Sequence, residues 1–97
     1  MRILNLTQHA PTPAQIEAGV FDAPTVIRKK ITDELNFGDI PSWGDINSRA
    51  DEIARLAVLT GTTHAMIGGA PYLMSSLERA LKAAGISPLY SFTQRHV

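Results

Sequence analysis

Hydrophobic residues along this chain fall into two patterns, short runs of a few residues and longer stripes with helical spacing. The short runs lie at residues 2–7, 63–67 and 88–93. Apolar runs of this length, bounded by turn residues, are typical of β-strands. The run at 63–67 lies between glycines and is too short for a helix, and its apolar end suits a strand buried on both faces. This favours a parallel sheet.

Two apolar stripes with helical spacing predict the longer helices. The first covers about 46–60, with Asp45 or Asn47 as its N-cap, and the second begins at Pro71 and ends near residue 84. A Thr-Pro start signal, with Gln three residues after the threonine, predicts a short helix at 13–18.

Two segments are less regular. Between residues 25 and 37, large apolar residues recur every four positions as on a helix, yet the first three residues equally suit a brief strand. Both alternatives remain open. Residues 38–44 are rich in turn formers and contain the only tryptophan, Trp43, so we expect a surface connection with one aromatic anchor.

The alternation of strands and helices predicts the fold class. Strand–helix–strand order with connections of this length is the βαβ pattern, whose right-handed crossovers place helices on the faces of a parallel sheet. We therefore predict a single α/β domain over residues 1–97 with a short, mainly parallel sheet.

Composition narrows the class of function. Nine Lys and Arg balance nine Asp and Glu, so the chain lacks the positive field that binding to long nucleic acid requires. The sequence has no cysteine, which excludes disulfides, zinc fingers and thiol catalysis. It has neither a signal-peptide pattern nor a run near eighteen apolar residues. We expect a cytoplasmic protein with no membrane partner, and the small core favours a homodimer.

Polar clusters follow the predicted strands, where open α/β sheets bind their ligands. The clusters are Thr7, Gln8 and His9 after the first strand, Gly68, Gly69 and Ala70 after the middle strand, and Ser91, Thr93, Gln94 and Arg95 along and after the last. Because the carboxyl ends of parallel strands meet at one edge of a sheet, we expect these clusters to form one ligand site.

The segment from Gly68 to Pro71 predicts a helix start without a side-chain cap. Such a start leaves amide donors free at the positive end of the helix dipole, which suits a phosphate. The alternative is a tight turn that needs glycine for its dihedral angles. The segment is neither a Walker loop nor the dinucleotide-binding motif, which argues against an ATPase or an ordinary dehydrogenase.

Two side chains are candidates for chemistry. His9 can donate to a phosphate or act as acid or base, or it can simply cap nearby backbone. The planar guanidinium of Arg95 suits a phosphate, although a solvated arginine near the chain end is the alternative. His64 lies at the opposite edge of the sheet and is assigned a structural role. Tyr72 and Tyr90 either stack on a base or line the core. The sequence has no Ser–His–Asp order, no carboxylate pair and no metal-ligand spacing, so we expect neither a metal nor a cofactor.

Four short motifs occur in order along nearly the whole chain. They are His9-x-x-Thr12-x-x-Gln15, Ile40-Pro41 followed by Trp43, a glycine loop running into Tyr72-Leu73-Met74, and Pro88-Leu89-Tyr90-Ser91-x-Thr93-x-Arg95. In this combination the chain resembles the small stand-alone ring nucleases associated with type III CRISPR systems. The resemblance implies a small Rossmann-like (CARF-like) three-layer domain that forms a homodimer. It also implies that the dimer binds a cyclic oligoadenylate and cleaves it without metal.

The resemblance also implies roles for individual residues. His9, Thr93 and Arg95 become the catalytic candidates, with Arg95 contacting the phosphate and His9 positioning the ribose or transferring a proton. The ligand-binding candidates are Thr7, Gln8, Gly68, Gly69, Ala70, Tyr72, Ser91 and Gln94. The family's glycine loop carries a carboxylate or other polar residues at the positions of Gly68, Gly69 and Ala70. A non-catalytic protein that sequesters a cyclic nucleotide therefore remains an alternative, and a subunit-interaction module is a third.

Overall fold

The computed structural model describes residues 1–39 and 41–91, which form one four-stranded sheet and four helices. The strands are β1 (Ile3–Leu6), β2 (Val20–Phe21), β3 (His64–Ile67) and β4 (Ser87–Tyr90). The helices are α1 (Pro13–Glu17), α2 (Thr25–Leu35), α3 (Trp43–Leu59) and α4 (Pro71–Ala83). All strands are parallel, in the order β2-β1-β3-β4. The predicted α/β class with a parallel sheet is confirmed.

The ambiguous segment after residue 24 is a helix, α2, whose buried side chains Ile31 and Leu35 lie four residues apart. Helix α3 begins three residues earlier than predicted, because the hydroxyl of Ser42 accepts a hydrogen bond from the Asp45 amide at 3.1 Å. The predicted caps at Asp45 and Asn47 are therefore wrong. Trp43 opens this helix with 69% of its surface exposed, so it does not serve as an aromatic anchor.

The two faces of the sheet carry separate apolar clusters. Side chains alternate along each strand, and Leu4, Leu6, Ala65 and Ile67 pack with buried residues of α2, α3 and α4 in the main core. On the other face Ile3, Val20 and Met66 form a smaller cluster. All four residues of β1 are buried, as expected of a central parallel strand. The two-residue strand β2 was not predicted from the sequence, because it is too short to show a pattern.

Strand β4 forms one edge of the sheet. The amides of Ser87 and Ser91 donate to carbonyls of the β3 segment at 2.8 and 2.7 Å. Backbone N–H groups point alternately to the two sides of a strand. The backbone nitrogens of Pro88 and Tyr90 therefore point away from β3, toward the free edge of the sheet. This strand begins one residue earlier than predicted and ends at Tyr90, so Ser91 is not part of it. The predicted strand residues 92 and 93 lie outside the described residues.

Within the described residues, no helix combines the length and apolar character needed to cross a membrane.

Candidate functional site

A cleft of about 630 Å³ lies at the carboxyl ends of β1 and β3. These two central strands continue in opposite directions across the sheet, since β1 leads to β2 on one side and β3 leads to β4 on the other. The loops that follow such strands separate and leave a crevice, which is where open α/β sheets bind ligands.

Eight of the residues proposed from the sequence line this cleft together. They are Thr7, Gln8, His9, Gly68, Gly69, Ala70, Tyr72 and Ser91. The expected convergence of the three strand ends is therefore present for these residues, and their contact with a ligand stays a prediction. Thr93, Gln94 and Arg95 lie outside the described residues.

The loop after β1 is held by a buried side chain beneath the cleft. Asn5, with no exposed surface, accepts from the amide and the hydroxyl of Thr7 at 2.9 and 2.7 Å. It also donates to the carbonyl of His9 at 2.8 Å. Thr7 is itself buried, and its hydroxyl is engaged within the loop. His9 and Gln8 are the exposed side chains of this loop.

The loop after β3 closes tightly against the end of β4. A Cβ atom on Gly68 would lie 2.7 Å from the Ser91 hydroxyl oxygen and 3.2 Å from the Ser91 Cβ. Gly69 has a φ of +138°, which favours glycine. Helix α4 then starts at Pro71 with Ala70 as its N-cap and no side-chain cap bond. The uncapped start that the sequence predicted is confirmed, and the glycines also satisfy the tight-turn alternative.

Replacing Gly68 with alanine is expected to lower the free energy of unfolding by about 1–3 kcal/mol, the usual cost of overpacking a close contact. The new methyl group would force Ser91 away from the cleft. Chemical denaturation measures the loss, and Gly38→Ala is the matched control because a Cβ there meets nothing within 4 Å. Equal stability of the two variants would contradict the close approach.

An aromatic pair forms one wall of the cleft. The rings of Phe37 and Tyr72 meet edge to face, with centroids 5.3 Å apart, and Tyr72 keeps 42% of its surface exposed. Tyr72 is thus not a core residue, and part of its surface is open to a ligand. The guanidinium of Arg49 lies 4.4 Å from the centre of the Phe37 ring. The sequence did not identify Phe37 or Arg49 as part of the site.

Arg49 also fixes the chain that carries Phe37. Its Nη1 donates to the carbonyls of Asn36 at 2.7 Å and Glu34 at 3.2 Å, while its Nε donates to Asp45 at 3.3 Å. These carbonyls lie at the C-terminal end of α2, where a cation also interacts favourably with the helix dipole. Arg49 therefore joins α3 to the wall of the cleft.

The first turn of α1 borders the cleft beside the Thr7–His9 loop. The Thr12 hydroxyl accepts from the Gln15 amide at 3.2 Å, and the Gln15 side-chain oxygen accepts from the Thr12 amide at 3.0 Å. This reciprocal pair is the capping box that the sequence predicted. It holds α1 in place and leaves both residues at the edge of the cleft.

The described lining of the cleft carries few charges. His9 and Tyr72 are its only titratable side chains, and the other polar groups are neutral. No cluster of three or more His, Asp or Glu side chains that could hold a metal ion occurs in residues 1–39 and 41–91. The site can therefore offer neutral hydrogen-bonding groups, an aromatic surface, helix amides and one imidazole.

Two of the other candidate residues lie away from the cleft. Tyr90 is the last residue of β4 and is 55% exposed, and its hydroxyl donates to Glu78 of α4 at 2.8 Å. That hydrogen bond, with desolvation and the charge of Glu78, raises the pKa of Tyr90. It therefore neither lines the core nor borders the cleft. His64 begins β3, at the end of the sheet opposite the cleft, and its Nδ1 lies 2.9 Å from the Thr63 hydroxyl.

Comparison with known proteins gives one assignment. No curated protein and no solved structure shows significant similarity to the chain. The profile of one protein family matches residues 1–97, the whole of the sequence. By that match the chain belongs to the family described as Uncharacterized protein MJ1673 family.

Proposed function

We propose that this protein binds a cyclic oligoadenylate in the cleft above β1 and β3 and cleaves it without metal. The observation that carries the proposal is the convergence on one cleft of the Thr7–His9 loop, the Gly68–Ala70 loop and Ser91. These are the residues to which the sequence resemblance assigns ligand contacts. The proposal places the reaction in a cytoplasmic homodimer.

The proposal includes a Rossmann-like (CARF-like) three-layer fold. Its support is the all-parallel strand order β2-β1-β3-β4 and the packing of α2, α3 and α4 against one face of the sheet. Right-handed crossovers would place α1 on the opposite face, because β2 lies on the other side of β1 from β3. The cleft then lies at the point where the two directions of winding separate.

Each part of the cleft suits one part of a nucleotide. The uncapped start of α4 offers amide donors and a positive dipole end to a phosphate, and Tyr72 offers an exposed aromatic surface to a base. His9 would contact the ribose or transfer a proton. Arg95 would contact the phosphate, Thr93 would be a further catalytic residue and Gln94 a further ligand contact. These last three assignments rest on the resemblance.

The proposed cleavage needs no group beyond the ligand and the protein. The ribose 2′-oxygen attacks the adjacent phosphorus, the bond from phosphorus to the 5′-oxygen breaks, and a 2′,3′-cyclic phosphate forms. The 2′-hydroxyl loses a proton and the departing 5′-oxygen gains one. The protein would promote this step by aligning the attacking oxygen and stabilising the developing charge.

A non-catalytic binder is the second candidate. It is favoured by the charge distribution in the cleft, because the described lining pairs His9 with no carboxylate, lysine or arginine. A single imidazole can hold a ribose or a phosphate without completing an acid–base pair.

Titration with a panel of cyclic di-, tri-, tetra- and hexanucleotides tests the proposal. We expect calorimetry to show binding of a cyclic oligoadenylate, and chromatography in the presence of EDTA to show products ending in a cyclic phosphate. Binding without products would select the sequestering protein. Absence of binding to any ring would reject both candidates and favour the interaction module.

Sedimentation of the same samples tests the assembly. We expect a homodimer in which the Gly68–Gly69 loops of the two protomers lie near a shared groove, because a small domain gains buried surface by pairing and a cyclic ligand matches two-fold symmetry. A monomer at tens of micromolar, both with and without ligand, would contradict this part of the proposal.

A further inference from the structure

The amide of Asn5 uses its full hydrogen-bonding capacity. Its Oδ1 accepts from the Thr7 amide and hydroxyl, and its Nδ2 donates to the His9 carbonyl at 2.8 Å and to Asp22 Oδ1 at 2.9 Å. An asparagine amide has two donor hydrogens and two acceptor lone pairs. Every one of them is engaged, in a side chain with no exposed surface.

Asp22 reaches this network through the register of the sheet. Ile3 pairs with Val20 and Leu4 with Phe21, so the next position brings Asp22 beside Asn5 just beyond the end of β2. Arg28 of α2 completes the arrangement, because its Nη1 donates to the Asn5 carbonyl at 3.2 Å and its Nε lies 3.8 Å from Asp22 Oδ1. The edge strand and α2 are thereby tied to the end of β1.

The carboxylate of Asp22 acts together with the carbonyl of His9 and the amide of Thr7 to select the orientation of the Asn5 amide. A carboxylate only accepts hydrogen bonds, so it selects the orientation in which Nδ2 faces Asp22 and the His9 carbonyl. The Oδ1 atom then faces Thr7, whose amide can only donate and whose hydroxyl donates to it at 2.7 Å. The opposite orientation would set oxygen against oxygen at Asp22 and at the His9 carbonyl, and Nδ2 against the Thr7 amide.

We propose that Asn5 and Asp22 are positioning residues that fix the Thr7–His9 loop and thereby the placement of His9 in the cleft. Neither residue is part of the lining of the cleft. The inference rests on the proposed function only for its effect on cleavage, because the effect on the loop is measurable in the free protein.

The first test compares Asp22→Ala with Asp22→Asn. Alanine removes the acceptor, so we expect the backbone amide resonances of Thr7 and His9 to shift and single-turnover cleavage of the cyclic oligoadenylate to slow roughly tenfold, with the Kd changed little, as for a misplaced acid or base. Asparagine can present its own oxygen to Asn5, so it should recover most of both effects. The control is Asp51→Ala, whose exposed carboxylate pairs with Arg79 away from this loop.

The second test replaces the donating amide of Asn5 with a carboxylate, which can only accept. Asn5→Asp would place a carboxylate against both Asp22 and the His9 carbonyl, and we expect it to displace the loop more than Asp22→Ala does. Adding Asp22→Asn to the same chain supplies a donor to the new carboxylate and should bring the Thr7 and His9 resonances part of the way back. A purely additive loss in the double variant would overturn the proposed pairing.

The outcomes separate this inference from the proposed function. Unmoved Thr7 and His9 resonances in folded Asp22→Ala would overturn the positioning role, whatever the ligand. Moved resonances with an unchanged rate of cleavage would overturn its effect on the reaction. Moved resonances in a protein whose wild type binds none of the cyclic nucleotides would support the positioning of the loop and reject the proposed function alone.

Discussion

Replacing His9 with alanine should slow cleavage of a cyclic oligoadenylate about 10²-fold or more, the usual contribution of a positioned acid or base. Affinity should change little, because the amides of α4 and the side chains of the other two strand ends remain. His9 is exposed at the rim of the cleft, so its truncation leaves no buried group without a partner. Single-turnover cleavage and calorimetry on the same samples measure the two quantities separately.

His64→Ala is the matched control for this measurement, because His64 lies at the other end of β3 from the cleft. It should cleave at the wild-type rate. Arg95→Ala provides the complementary result, since loss of a phosphate contact should weaken binding by about 1.5–3 kcal/mol. Unchanged cleavage in His9→Ala would reject its catalytic role, and unchanged affinity in Arg95→Ala would reject the phosphate contact.

The second large effect is expected at Arg49, which connects α3 to the aromatic wall. Arg49→Ala removes the donors to the Asn36 and Glu34 carbonyls and the cation beside the Phe37 ring. Because the side chain is only 25% exposed, we expect the free energy of unfolding to fall by about 2–3 kcal/mol. Urea denaturation followed by circular dichroism measures this loss.

Two further variants identify which contacts of Arg49 cause the loss of stability. Arg49→Lys keeps the charge but not the planar set of donors, so it should recover only part of the stability. Arg55→Ala removes another arginine of α3, an exposed one whose partner is Glu52, and surface pairs of this kind contribute little. If Arg49→Ala and Arg55→Ala were equally stable, the carbonyl contacts of Arg49 would contribute nothing to the free energy of unfolding.

The sequence predicted the parts of the fold that depend on local patterns. The stripe in α4, its uncapped start and the capping box of α1 each involve residues within one or two helical turns. The start of α3 was misplaced because Ser42, Asp45 and Asn47 are all good capping residues and only tertiary packing selects among them. The segment of α2 stayed ambiguous because its four-residue spacing is compatible with a helix while its first residues suit a strand.

The parts of the site that the sequence missed depend on contacts between distant residues. Asn5 occurs within an apolar run, and nothing near it indicates a partner. Its partner Asp22 lies 17 positions away and comes into place only through the register of β2. Phe37, which follows α2, and Tyr72 of α4 likewise come from distant parts of the chain to form one wall of the cleft. The sequence pattern predicted the strand ends but not the side chains that hold them.

The outward position of Pro88 limits how two copies of this protein can assemble. A proline has no amide hydrogen to donate, so the free side of β4 cannot continue the regular ladder of the sheet. The free side of β4 therefore presents one backbone N–H donor, that of Tyr90, where a strand without proline would present two. Edges blocked in this way resist unplanned strand addition and aggregation. The proposed dimer would therefore not extend the sheet through β4, and contacts by helices and loops would leave the loops at the carboxyl end of the sheet free to meet around a ligand.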